Sequence, residues 1–334
     1  MAAEHADINR SAWAVSALIA VYNPDTELFR QAVNSVLNQS LQVLELVLVN
    51  DGGSDEFKTV LPDDPRIRVF TKPNEGVAAT RNFAIGQCRG DYIAFLDQDD
   101  FWYPDKLMRQ IEMIAVKGKP CMVVSPVDVI DGEGHIREKK SSKVRDKYLS
   151  RISDADLLPA LADENFIHSS SPLVHREVFR VVGGFDDRTR PHDDWDMYLR
   201  IALAGFPVYG YTEKALSVWR MHEANESRKR MAMMESKCAV ERKTLQTGVP
   251  AGIEPILKSN LALDKVVIAN LWYNEKEFTQ FRSSLRRDLP ELIRWYLKDG
   301  RQDRFRRDYR LRTRDAILKS LRRLLLSFIP RLPR

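Results

Sequence analysis

The apolar positions of the first 120 residues alternate between two rhythms. Residues 14–22, AVSALIAVY, form a short continuous apolar run that stops at Asn23-Pro24, the pattern of a buried strand entering a turn. Phe29, Val33, Val36 and Leu37 then recur at helical spacing and predict an amphipathic helix over 26–39. LELVLVN (44–50) predicts a second strand, stopped by Asp51-Gly52-Gly53, and IRVF (67–70) a short third. Val77, Thr80, Arg81 and Ala84 fit a helix over 76–87, and YIAFLD (92–97) a fourth strand. Pro104 opens a helix over 104–116 whose Leu107, Ile111 and Ile114 share a face. Strands that alternate with helices of this length predict βαβ units and a parallel sheet.

The rhythm then weakens. From about 118 to 150 the chain turns polar, and SSKVRDKYLSR predicts an exposed loop or flap. Residues 171–185 predict a strand, a helix and a Gly-Gly stop, 193–205 a helix ended by Gly205, and 207–222 an extended segment. Beyond Glu223 long charged, helix-favouring stretches replace the βαβ pattern, which places a domain boundary near Arg228. No internal repeat is present.

Charge refines this division. The chain of 334 residues carries 52 basic and 47 acidic side chains, a formal +5. Residues 291–334 hold 14 Lys and Arg against five Asp and Glu, so the basic surplus belongs to a tail and gives no reason to expect a nucleic-acid partner. Three distant cysteines without a CxxC spacing predict neither a disulfide framework nor a zinc site and fit a reducing compartment. Without a long apolar run near the start, or 18 consecutive apolar residues anywhere, neither a leader nor a membrane span is expected.

Candidate chemistry gathers at strand ends. Ligands of parallel α/β sheets bind beyond the carboxyl ends of the strands. Those ends carry Tyr22-Asn23, Asp51 and Asp97-Gln98-Asp99-Asp100. Side chains two apart on an extended chain share a face, so Asp97 and Asp99 are expected to converge. Paired carboxylates suit Mg²⁺ or Mn²⁺, and a diphosphate beside them needs a cation between. A second acidic cluster, Asp193-Asp194-x-Asp196, opens a helix whose dipole favours ionised carboxylates, as a general base requires. His222, just past a strand, has the chemistry of a metal ligand.

Taken in order, VSALIAVYNPDTE, LVLVNDGGSDE, PNEGVAATRNFAI, GDYIAFLDQDDFWYPDKL, VGGFDD, HDDWDMYLRIALAGF and VWRMHEANES resemble glycosyltransferase family 2 over roughly residues 14–228. The resemblance implies the GT-A fold, a mixed but mostly parallel Rossmann-like sheet flanked by helices, here followed by a helical C-terminal extension over 229–334. It also implies an inverting enzyme that uses a nucleotide sugar, foremost a UDP-sugar, and a glycan or lipid-linked acceptor in cell-surface polysaccharide or lipopolysaccharide synthesis. Under it, Val21, Tyr22 and Asp51 line the pocket for base and ribose, Arg81 contacts the nucleotide, and Asp97 lies near ribose and metal. Asp99 and His222 bind the divalent cation, Mn²⁺ or Mg²⁺, Asp194 is the catalytic base, and Asp193 and Trp195 face the acceptor. Two positions depart from the family pattern: Ala20 replaces a common Pro, and Asp193 replaces a Glu.

Two other readings compete. A sugar-nucleotide pyrophosphorylase would show a Gly-rich basic signature where this chain has AVYNPDTE. A non-catalytic sugar-nucleotide-binding or membrane-docking subunit would not need both acidic clusters. The tail adds an expectation of its own. Ile317, Leu318, Leu321, Leu324, Leu325 and Phe328 follow helical spacing, with Arg312, Lys319, Arg322 and Arg323 largely opposite and Pro330 at the end. Such a helix lies in an anionic membrane surface. Packing on the catalytic domain or on a second copy of the chain is the alternative. The expected location is cytoplasmic, peripheral at the inner face of the cell membrane.

Overall fold

The computed structural model describes residues 13–117, 121–152, 157–223, 225 and 229–274, together with 277, 280, 283, 287 and 288. The basic tail helix expected over 312–329 lies outside the described residues. The chain divides into two compact units, Met1–Arg228 and Lys229–Arg334.

The first unit opens with β1 (Val15–Val21), α1 (Thr26–Leu37), β2 (Glu45–Asn50), β3 (Ile67–Thr71), α2 (Val77–Gln87) and β4 (Tyr92–Phe95). These four strands are mutually parallel, with β1 between β2 and β4. Every residue of β2 is buried, which is why its sequence reads as a continuous apolar run rather than an alternation. Asp25 caps α1 by accepting from the N–H groups of Glu27 and Leu28, each at 3.0 Å. Phe29, Ala32, Val33, Val36 and Leu37 bury the inner face of α1. Each of the four larger side chains removed from water contributes about 1.5–3 kcal/mol.

Next come β5 (Phe101–Trp102), α3 (Lys106–Lys117), β6 (Met122–Val124) and β7 (Val127–Asp131). After them run α4 (Glu138–Arg151), α5 (Leu158–Asp163), β8 (Leu173–His175), α6 (Arg176–Val182), α7 (Asp193–Leu203), β9 (Val208–Gly210) and β10 (Ser217–Met221). The main sheet has the order β3-β2-β1-β4-β8-β6-β9, and β8 runs antiparallel to both β4 and β6. The sheet is therefore mixed and mostly parallel. β10 lies between β5 and β7 in a separate three-stranded sheet.

The polar stretch after 118 departs from the sequence expectation. It forms two strands and a 14-residue helix, α4, rather than a loop. Only Ser141 and Tyr148 of α4 are buried, too few to leave a periodic signal. Both act through hydrogen bonds. The Ser141 hydroxyl accepts from Val129 N–H at 2.8 Å and donates to its carbonyl at 3.2 Å, and the Tyr148 hydroxyl donates to the Val124 carbonyl at 3.0 Å.

In the second unit α8 (Arg230–Gln246) packs on α9 (Glu254–Asn274) through a small core of Cys238, Leu261 and Ile268.

Candidate active site

The chain leaves β4 in a tight turn. Asp100 N–H donates to the Asp97 carbonyl at 3.2 Å, and the Gln98 amide ties the turn to Tyr22 by exchanging hydrogen bonds with its main chain. The expected convergence of Asp97 and Asp99 as neighbours on an extended strand is thereby corrected. The strand ends at Phe95, so the two carboxylates follow a turn and reach different partners.

Asp97 turns toward α2. Arg81, 7% exposed, donates to Asp97 at 2.7 Å and to Asp193 at 3.1 Å, with its guanidinium over the Phe185 ring. The Asp97 carboxylate also accepts from the Ser169 hydroxyl. Burial opposes its charge, but Arg81 and Ser169 outweigh that and hold its carboxyl below the usual range. Asp193 is 3% exposed, and there burial wins over Arg81, leaving its carboxyl above the usual range. Buried this way, Asp193 holds Arg81.

Asp99 turns toward β10. Its carboxylate lies 2.7 Å from Nε2 of His222, a residue set just past β10. Burial and the charge of Asp97 raise the Asp99 carboxyl. Asp100 is a fastener: its carboxylate accepts from the Ser170 hydroxyl at 2.6 Å and from Arg220 N–H at 2.9 Å, locking the turn to β10. Asp99 and His222 form a two-donor pair of the oxygen and nitrogen types that divalent cations take. Among the described residues no group of three His, Cys, Asp or Glu side chains is placed to hold an ion.

Asp194 stands in the first turn of α7 and lines a narrow cleft in which Phe95, Phe179 and Phe185 are joined by Arg81, Ser169 and Tyr198. Burial, and next the charge of Asp193, push its carboxyl up to about 7. The expectation that the helix dipole keeps it fully ionised is corrected here, because desolvation by apolar walls exceeds the dipole's contribution. Trp195 is fully buried with its indole N–H on the Leu161 carbonyl at 2.8 Å. Its ring packs α7 against α5.

Asp51, just past β2, accepts from Lys72 at 2.7 Å, from Glu75 N–H at 3.0 Å and from Gly76 N–H at 2.8 Å. Against its burial, these bonds hold its carboxyl below the usual range. Gly76 enters α2 at φ +91°, a backbone that disfavours any side chain, and so brings its N–H onto Asp51. Val21 is fully buried and its carbonyl accepts from Asp51 N–H, which leaves it shape and main chain to offer. Tyr22 is 49% exposed.

Sequence reasoning missed the connection from α5 to β8. Asn165, His168, Ser169 and Ser170 contact the turn or Asp194, and their ordinary polar pattern gives no hint of it. His168 rests on Trp219, and burial pushes its imidazole down to about 4, so it is neutral.

Residues 16–182, half the chain, match the profile of glycosyl transferase family 2. The chain belongs to that family. It is 29% identical over 226 residues to an uncharacterized glycosyltransferase of Rickettsia typhi, covering 66% of this chain and 68% of the relative. An uncharacterized glycosyltransferase of Rickettsia felis is 31% identical over 64% of this chain, which spans 35% of that longer protein. Among solved structures, S. aureus TarS in complex with UDP-GlcNAc superposes at a TM-score of 0.61 with 15% identity, covering 84% of this chain and 81% of that one. A mannosyltransferase of Pyrobaculum calidifontis, solved with GDP-Man and Mn²⁺, gives 0.57 with 16% identity, over 86% and 87%. Both likenesses establish the GT-A fold of this family 2 chain.

Proposed function

We propose that this glycosyltransferase moves a sugar from a nucleoside-diphosphate donor to a hydroxyl of a glycan or lipid-linked glycan, with inversion, in cell-surface polysaccharide or lipopolysaccharide assembly. The observation that carries the reading is Arg81. By bridging Asp97 and Asp193 it joins the carboxylates past β4 to the start of α7 and Asp194, while Asp99 of the same turn pairs with His222 just past β10 of the smaller sheet. The fold is shared with proteins solved with UDP-GlcNAc and with GDP-Man, which makes a nucleotide sugar, UDP-linked first, the donor to test.

The residues divide the work. The exposed Tyr22 and the Asp51 carboxylate border the pocket for base and ribose, and Val21 shapes its floor. Arg81 acts through Asp97, because its guanidinium is spent on the two carboxylates. Asp99 and His222 would hold a Mn²⁺ or Mg²⁺ ion whose Lewis acidity stabilises charge on the departing nucleoside diphosphate. Asp194 takes the acceptor's hydroxyl proton as that oxygen bonds to the anomeric carbon. The bond from that carbon to the diphosphate oxygen breaks, and its electron pair leaves with the diphosphate. One displacement inverts the configuration.

No described helix is long and apolar enough to cross a membrane. Attachment through the basic tail to an anionic membrane, on its cytoplasmic side, belongs to the same proposal.

The test is donor binding and donor hydrolysis by the full chain over a panel of nucleotide sugars with Mn²⁺. Asp99→Asn should lose cation-dependent donor binding, whereas Asp194→Asn should bind donor and fail to turn it over. Equal binding and turnover losses in both variants would refute the division of roles.

A further inference from the structure

Asp194 has few polar contacts to fix its direction. One is from its own helix, where Trp195 N–H donates to its carboxylate at 2.6 Å. The other comes from outside α7: the Asn165 side-chain amide donates to the same oxygen at 3.3 Å. Asn165 is itself held at two points, and its neighbour Phe166 at a third. Its Oδ1 accepts from Ile167 N–H at 3.2 Å, which fixes which end of the amide faces Asp194. Its carbonyl accepts from Lys147 of α4 at 3.2 Å. Next to it, Phe166 is buried against Tyr148 of α4, and Tyr148 is hydrogen-bonded to β6. The amide is therefore preorganised by a helix that touches none of the acids.

Reading Asp194 as the base, we infer that Asn165 is its positioning residue, directing the carboxylate oxygen from outside α7 and steadying the ionised form. A hydrogen bond to a charged acceptor is the stronger kind. The other groups that act on Asp194 are Asp193 and Tyr198 of its own helix, Arg81 from α2 and Asp97 from the turn. Of these only Arg81 favours the charge, and it is engaged elsewhere. The Asn165 amide adds to the Trp195 N–H a second donor on that carboxylate, and the one that comes from outside α7. The same connection also carries Ser169 to Asp97, so one short segment braces both the proton-accepting side and the donor side.

The test needs neither donor nor acceptor. Full-length chain labelled with ¹³C at the aspartate carboxyls is titrated by NMR, and the Asp194 signal is identified by its loss in Asp194→Asn. In Asn165→Ala the Asp194 midpoint should rise by about one pH unit, the worth of one hydrogen bond to the charged form. Asn165→Asp keeps an oxygen for Ile167 N–H but replaces the donor with a carboxylate, and should raise the midpoint at least as far. An unmoved midpoint in either variant would overturn the inference. Movement in Asn165→Ala alone would mean that the Ile167 turn matters and the amide donor does not. Because hydrolysis is not measured, a failure here is separate from a failure of Asp194 as the base.

Discussion

Removing the charge of Arg81 should cost the first unit more than any exposed ion pair would. In Arg81→Met the side chain keeps its volume and loses both bonds, leaving Asp97 with its carboxylate 34% exposed and Asp193 at 4% without their cation. Breaking a buried pair by deleting one partner costs about 3–5 kcal/mol. Here the lower end applies, because Asp97 is screened by water and Asp193, already above the usual carboxyl range, can take up a proton instead of staying charged. A loss of about 3 kcal/mol in a unit of this size lowers Tm by about 6–12 °C. The pH dependence has a definite sign. Asp97 has a depressed carboxyl in the folded protein, so its stabilising share is present above the unfolded value near 3.9 and lost as pH falls through its folded one. The Asp97 share of the Arg81→Met deficit should therefore hold from pH 7 down to about 4 and shrink only below that, where wild type loses it too. Arg81→Lys should recover only part, since one ammonium cannot fork to two carboxylates. Thermal unfolding by circular dichroism at pH 3, 4 and 7 is the assay. A Tm within 2 °C of wild type at pH 7, or a deficit that grows on acidification, would show that Arg81 does not join the two halves of the site.

Turnover should climb as pH rises from about 6 to 8, because Asp194 must be ionised and its carboxyl titrates near 7; a rate already flat at pH 5.5 contradicts it. The same raised value favours the protonated folded form, so this group's stabilising share is complete below about pH 3.9 and gone above 7. Asp194→Asn should cut transfer by about 10²–10⁴-fold with donor affinity kept, and Asp193→Asn should act mainly on Tm. His222→Ala should weaken donor binding measured with Mn²⁺ far more than binding measured in EDTA; equal losses in both would return His222 to a structural role. Truncation after Leu311 should release the protein from anionic liposomes at low salt while donor hydrolysis continues, and equal flotation of both forms removes the tail as an anchor.

The sequence by itself determined the strand and helix alternation through α3 and the positions of the acids. Apolar runs at 14–22, 44–50 and 92–97 are long enough to be buried and are broken by polar residues where the strands stop, so both the sheet and its ligand edge are local properties of the chain. The strand and helix over 171–185 and the helix over 193–205 were legible too, with glycines at the helix ends. Alternation did not carry the strand directions of β8 or the separate sheet holding β10, because pairing is a choice among partners rather than a local preference. Nor did it carry α4, held by two buried polar side chains rather than an apolar face.

Only the tertiary structure decided what each carboxylate does. Arg81 and Asp193 lie 112 positions apart, Asp99 and His222 lie 123 apart, and Asn165 and Asp194 lie 29 apart. Asp97 is kept charged by a guanidinium and a hydroxyl, while Asp194, a residue of the same type, is brought near neutral pH by apolar walls and a like charge. Residue type sets a carboxyl's starting value. Desolvation and the partners delivered by packing set where it ends, and both exist only once distant segments have closed on one another.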